Sequence, residues 1–149
     1  MQGMIAQTIQ LALAPVFVLV AIASIMNPLS VRLGRVVDRS RELQRLYSQT
    51  EGEEHDDVVR EARSLDRRIA IIGRAILLLV LSGLFIGLTV VLLFLEEFAG
   101  VGATGIAAGA FMVAIALMMW ALLLFLQETQ EATRALRIPE MYLEKDRDL

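Results

Sequence analysis

The sequence predicts an all-α membrane protein with three transmembrane helices and a cytoplasmic antiparallel helical hairpin, coiled-coil-like, between the first and second. Three observations carry that class. Residues 9–31, 75–95 and 101–126 are apolar blocks without a charge, and about 20 residues at about 1.5 Å each cover roughly 30 Å of hydrocarbon. The blocks do not alternate polar with apolar as barrel strands do, and a helix satisfies its own backbone in lipid. The 14 basic residues are confined to two segments, Arg32 to Arg74 and Arg134 to Arg147.

Composition narrows the chemistry. At 56% hydrophobic residues over 149 positions and a mean hydropathy of +0.62, the chain exceeds the roughly 45–50% of soluble domains. A net charge of −3 gives no reason to expect nucleic acid, and the absence of Cys removes disulfides and thiol chemistry. The single His55 leaves no histidine-based metal centre or triad. With no nucleophile–base set or metal cluster recognisable, the expectation is a non-enzyme with neither cofactor nor metal.

The first unit, residues 1–31, holds an outside N-terminus and the first span. No Lys or Arg lies in residues 1–8, so an uncleaved span fits better than a signal peptide. The positive-inside rule places 32–74 and the tail 127–149 in the cytoplasm, with the Glu96–Gly100 turn outside. Along the span, Gln10, Ala14, Phe17, Ala21, Ser24 and Asn27 recur at three to four residues. Such a stripe suits a water-filled path in an oligomer, and equally suits close helix packing, the simpler use. Gln10 and Asn27 are costly against lipid, so this face is expected to be covered either way. Pro15 and Pro28 each delete a helical hydrogen bond; Pro28 is a candidate hinge, a static bend being the plainer alternative.

Residues 32–74 form the predicted hairpin. Leu33, Val36, Val37, Leu43, Leu46 and Tyr47 lead out, and Val58, Ala62, Leu65, Ile69 and Ile72 return at spacings of four and three, the stripe of a coiled-coil seam. The turn "SQTEGEEHDD" lies between, where Asp56 or Asp57 is expected to cap the returning helix. The five carboxylates and His55 within residues 51–57 are a candidate holder of Ca²⁺ or another divalent ion, but they lack the ligand order of an EF-hand and read more simply as a solvated turn. Two helices with one narrow stripe each are marginal alone, which predicts a homo-oligomer. Arg32, Arg35 and Arg74, nearest the bilayer, set topology and are candidate contacts for lipid headgroups or other anions. Pairs of the arginines with Asp38, Glu42 and Asp66 are also expected.

Residues 75–126 hold the second and third spans. Gly83-x-x-x-Gly87 and Gly105-x-x-x-Gly109 predict close helix contacts. Glu96 and Glu97 read as an exposed turn that symmetry would convert into an outer acidic ring. In the tail, Glu128 and Glu131 belong to an extension of the third helix that stops before Pro139. Glu131 and Arg134 read there as an ordinary surface pair.

The stretches "QLALAPVFVLVAIASIMNPLSVRLGRVVDRSREL", "LDRRIAIIGRAILLLVLSGLFIGL" and "LLLFLQETQEATRALRI" resemble a bacterial family of small three-helix integral membrane proteins catalogued as a domain of unknown function. The likeness covers roughly Gln7 to Ile138. It implies the fold and a multi-pass place in the bacterial cytoplasmic membrane, and it brings no catalytic residues. The resulting expectation is a homo-oligomer in the bilayer with an ion-channel or permeation role lined by the first helix. The alternative is a non-conducting scaffold or regulator whose hairpin docks a cytoplasmic protein.

Overall fold

A computed structural model describes residues 2–100 and 102–135, and the side-chain surroundings of 5–100 and 102–134. These residues form three helices, α1 (Gln2–Tyr47), α2 (Glu53–Ala99) and α3 (Thr104–Ala135). All three are long and apolar enough to cross a membrane, which makes this a multi-pass membrane protein. The tail from residue 136, including the predicted stop at Pro139, lies outside the described residues. α2 packs along both neighbours, while α1 and α3 barely touch.

Buried positions recur every seven residues on each helix. On α1 they are Thr8, Pro15, Ile22, Leu29, Val36 and Leu43; on α2, Val58, Leu65, Ile72, Leu79 and Ile86, with Ala75, Ser82 and Thr89 beside them. α3 contributes Ala107, Ala114, Ala121 and Glu128. A strict seven-residue spacing keeps one stripe facing the same partner over a long helix. The α1 and α2 seams run on past the apolar spans as one core, from Ile86 and Ile22 to Leu43 and Val58. Thr8 meets Glu97 at one end and Arg39 meets Glu61 towards the other, so the two helices run in opposite directions.

The turn differs from expectation. α2 starts at Glu53, after Gly52 at φ 69°, with no side-chain cap. Asp56 and Asp57 therefore lie inside the helix, and the Asp56 N–H donates to the Gly52 carbonyl at 3.2 Å. Gly52 explains the shift, because its left-handed φ reverses the chain earlier than a capping Asp would. Glu53, Glu54 and Asp56 in the first turn still complement the helix dipole. Among the described residues, no three of the acids and His55 gather as a metal site would require.

The glycine pairs also depart from expectation. A Cβ at Gly83 would lie 3.9 Å from Leu19 Cδ2, but at Gly87, Gly105 and Gly109 it would meet open space. The close approach between α2 and α3 uses the seam instead, where Ser82 Oγ donates to the Ala114 carbonyl at 2.7 Å. Small residues on both sides let the backbones come near enough for that bond. Ser82→Ala should cost about 0.6 kcal/mol, the average of such bonds in membranes, measured by unfolding in detergent; a loss above about 2 kcal/mol would contradict this account.

Candidate functional site

The seven-residue stripe of α3 passes from three alanines to Glu128, which is fully buried. A carboxylate there is tolerable only if its oxygens are satisfied by positive partners. Arg32 on α1 donates from Nη1 to Glu128 Oε2 at 2.6 Å. Arg68 on α2 donates from Nη2 and Nε to Oε1 at 2.8 and 3.3 Å. Arg32 also reaches Thr129 Oγ1 at 3.3 Å, and its Cζ stands 5.1 Å from the centroid of the Phe125 ring, within cation–π range. One carboxylate thus joins all three helices at the charged end of the spans. It supplies the firm link between α1 and α3, which otherwise hardly meet.

The expected role of Arg32 is in topology and anion contact, and that of Glu128 in a helical extension; the structure instead pairs the two. The signal that finds Glu128 is its register, seven residues after Ala121 in the run Ala107, Ala114, Ala121. Small residues at that spacing mark a packed face, and a carboxylate continuing the face calls for a cation from a neighbouring helix. Arg35 and Arg74 are exposed and take no part in the cluster.

One layer further from the apolar spans, Glu131 faces Arg67 of α2 at 3.9 Å rather than Arg134 on its own helix. The consecutive residues Arg67 and Arg68 of α2 draw the two carboxylates of α3 across, which corrects the expected surface pair. Beyond it Arg39 bridges Glu61 and Glu42 at 2.8 and 2.9 Å. These bonds, first Glu61 and then Glu42, hold the Arg39 guanidinium even further above its ordinary range. Being exposed, such a pair contributes at most about 1 kcal/mol. The predicted pairing with Glu42 is present, whereas Asp38 and Asp66 form no ion pair among the described residues.

Most of the α1 stripe points away from the protein's own core, although Ala14 borders an apolar cavity shared with Thr89 and Leu93 of α2 and Ala107 of α3. Gln10, Ala14, Phe17, Ala21, Ser24 and Asn27 are all exposed. Gln10, Phe17 and Ser24 stand two residues after the buried Thr8, Pro15 and Ile22, about 200° around the helix. Asn27 stands five residues after Ile22, about 140° around and still on the outward side. Pro28 is exposed within an unbroken α1. Having no N–H, it leaves the Ser24 carbonyl without its usual partner. The outward face therefore lacks one helical hydrogen bond, that to the Ser24 carbonyl, between the Ser24 hydroxyl and the Asn27 amide. Ser24 Oγ itself donates back to the Val20 carbonyl at 2.9 Å.

At the opposite end of the molecule, Glu97 accepts from Thr8 Oγ1 at 3.1 Å, and Glu96 accepts from Thr104 Oγ1. Both acids border a cavity of about 270 Å³ with Gln7 and Leu93. The threonines tie the two carboxylates to α1 and to the start of α3, so they fasten the far end of the bundle as Glu128 fastens the near one.

No curated protein and no solved structure matches the chain. A family model does, over residues 12–138, which takes in all of the Arg32–Arg68–Glu128 cluster and most of each helix. The chain belongs to the family described as a protein of unknown function, DUF2721.

Proposed function

We propose that this membrane protein works as a homo-oligomer in which the outward face of α1 lines a permeation path for ions or small solutes. The observation that carries the reading is the position of Gln10, Ser24 and Asn27, turned away from α2 in a helix of membrane-spanning length. Side-chain amides, and a carbonyl that Pro28 deprives of its helical donor, are expensive against hydrocarbon. Neighbouring copies, with or without water between them, relieve that cost. In this reading the arginine-rich ends of α1 and α2 project into the bacterial cytoplasm, the N-terminus lies outside, and Glu96 and Glu97 ring the outer mouth. The role is non-enzymatic and needs no cofactor.

The chain has no native Cys, so introduced thiols report cleanly. Ser24→Cys and Asn27→Cys should react with small water-soluble thiol reagents, whereas Ile22→Cys, on the buried seam, should not. The decisive measurement is reconstitution in planar bilayers alongside mass determination of the purified particle. A monomer that passes no current across varied ions and voltages overturns the proposal.

A second reading rests on a separate observation. The described part of α3 reaches Ala135, level with the early part of α2, and the described residues beyond that level are those of α1 and α2. Beside their seam lies a cavity of about 310 Å³ bordered by Leu43, Gln44, Tyr47, Val58 and Ala62. A cytoplasmic protein docking there would make the chain a non-conducting scaffold. Substitutions at Tyr47 and Gln44 would then abolish cellular function in a protein that never conducts.

A further inference from the structure

We propose that Arg63, Arg67 and Arg134 form a binding site for a phosphate group, carried either by a lipid headgroup or by a soluble phosphorylated compound. The three guanidinium groups border one open cavity of about 440 Å³ between α2 and α3, together with Ser64 and Glu131. Arg63 and Arg67 are four residues apart and so stack on one face of α2, while Arg134 comes across from the last turn of α3.

The charges of this cavity do not cancel. Among the described residues three arginines face one carboxylate, that of Glu131, an excess of two positive charges. Glu131 lies 3.9 Å from Arg67, longer than the roughly 2.7–2.9 Å of a charge-assisted hydrogen bond. Arg63 and Arg134 form no ion pair among the described residues. The contrast with Arg32 and Arg68 is informative, since both of those are closed onto Glu128 within 2.8 Å. One layer of arginines is structurally committed; the next keeps its donors open.

Phosphate is the anion these donors suit. A guanidinium presents five N–H groups in a planar fork that matches two phosphate oxygens at once. Ser64 adds a hydroxyl, and Gln130 on an adjoining cavity of about 500 Å³ adds an amide donor, whereas the hydroxyls of Thr129 and Thr133 there already donate to the Phe125 and Thr129 carbonyls. Arg67 precedes Ala75 and Arg134 follows Leu126 by eight residues each, about 12 Å beyond the apolar ends at 1.5 Å per residue. That is about 5 Å outside a headgroup layer roughly 5–8 Å deep, so the long side chains of Arg67 and Arg134 can extend back towards membrane phosphates or out towards those in solution.

The test uses the full chain in phosphatidylcholine nanodiscs, titrated with inorganic pyrophosphate at ionic strength held constant with sodium chloride. A parallel arm counts phosphatidylglycerol retained by the particle in native mass spectrometry. Binding in the first arm alone assigns a soluble ligand, and retention in the second alone assigns a lipid. Arg63→Gln with Arg67→Gln and Arg134→Gln should weaken the observed binding at least tenfold. The corresponding triple Lys variant should fall between, because it keeps charge and loses the fork. Arg60→Gln, one turn away and paired with Asp57, should bind as the parent does. If the triple Gln variant fails to fold, single Arg63→Gln should still weaken binding severalfold. The proposal is overturned if neither probe binds, if the glutamine variants bind undiminished, or if Arg60→Gln weakens binding equally.

Discussion

Replacing Glu128 with alanine should destabilise the protein by about 3–5 kcal/mol, the range for removing one partner of a buried ion pair. The variant leaves the guanidinium groups of Arg32 and Arg68 facing each other around a vacated site, with neither oxygen of Glu128 to accept from them. Arg68 suffers most, because its side chain is only 20% exposed against 36% for Arg32 and it has less access to water. Unfolding in detergent, followed by helix content, measures the loss. Glu128→Gln keeps the shape and one acceptor and should lose less. The combined variant Glu128→Leu, Arg32→Leu, Arg68→Leu should regain most of the stability, since well-packed apolar replacements of a buried ionic cluster are often neutral or better. Glu128→Ala within 1 kcal/mol of the parent would show that water already reaches this cluster. The same variants probe function, because a fully apolar cluster retains the fold while removing the one charged link between α1 and α3 among the described residues.

What the sequence displays and what it conceals divide along a physical line. The three spans follow from length and the absence of charge, which bilayer thickness converts directly into helices. The seam between α1 and α2 is legible beyond the spans, where polar residues stand out against Val36, Leu43, Val58, Leu65 and Ile72. Inside the third span every face is apolar, so hydrophobicity loses its contrast and the packed face shows only as small residues, Ala107, Ala114 and Ala121. The glycine pairs are the misleading case: Gly105 and Gly109 look like a contact motif but lie off the seam and meet open space. Glu128 escaped notice because a charge after a span is ordinary, and only the seven-residue register shows it pointing inward. The start of α2 escaped for a local reason, namely that Gly52 reverses the chain before either aspartate can cap. The outward direction of Gln10 and Asn27 required the structure, since the stripe has the same period whether it faces a partner helix or the outside.

The difference in contrast between the two environments predicts a difference in energy. Leu43 and Leu79 occupy the same kind of seam position, 2% and 0% exposed, and belong to one continuous core. Leu43 lies among exposed charges such as Glu42 and Arg45, whereas Leu79 lies within the apolar span of α2. Leu43→Ala should therefore cost about 2–5 kcal/mol, combining the lost transfer from water with the cavity left behind. For Leu79→Ala the transfer contribution largely vanishes, because lipid chains are as apolar as leucine. Only lost dispersion contacts remain there, and about 1–2 kcal/mol is expected. Hydrogen exchange resolves the two locally. Leu43→Ala should speed exchange across residues 36–72 and leave the spans protected, and Leu79→Ala should change neither region much. Equal losses at the two positions would mean that the helix pair beyond the spans does not stand in water, and the solvent boundary drawn at Arg32 and Arg74 would have to move.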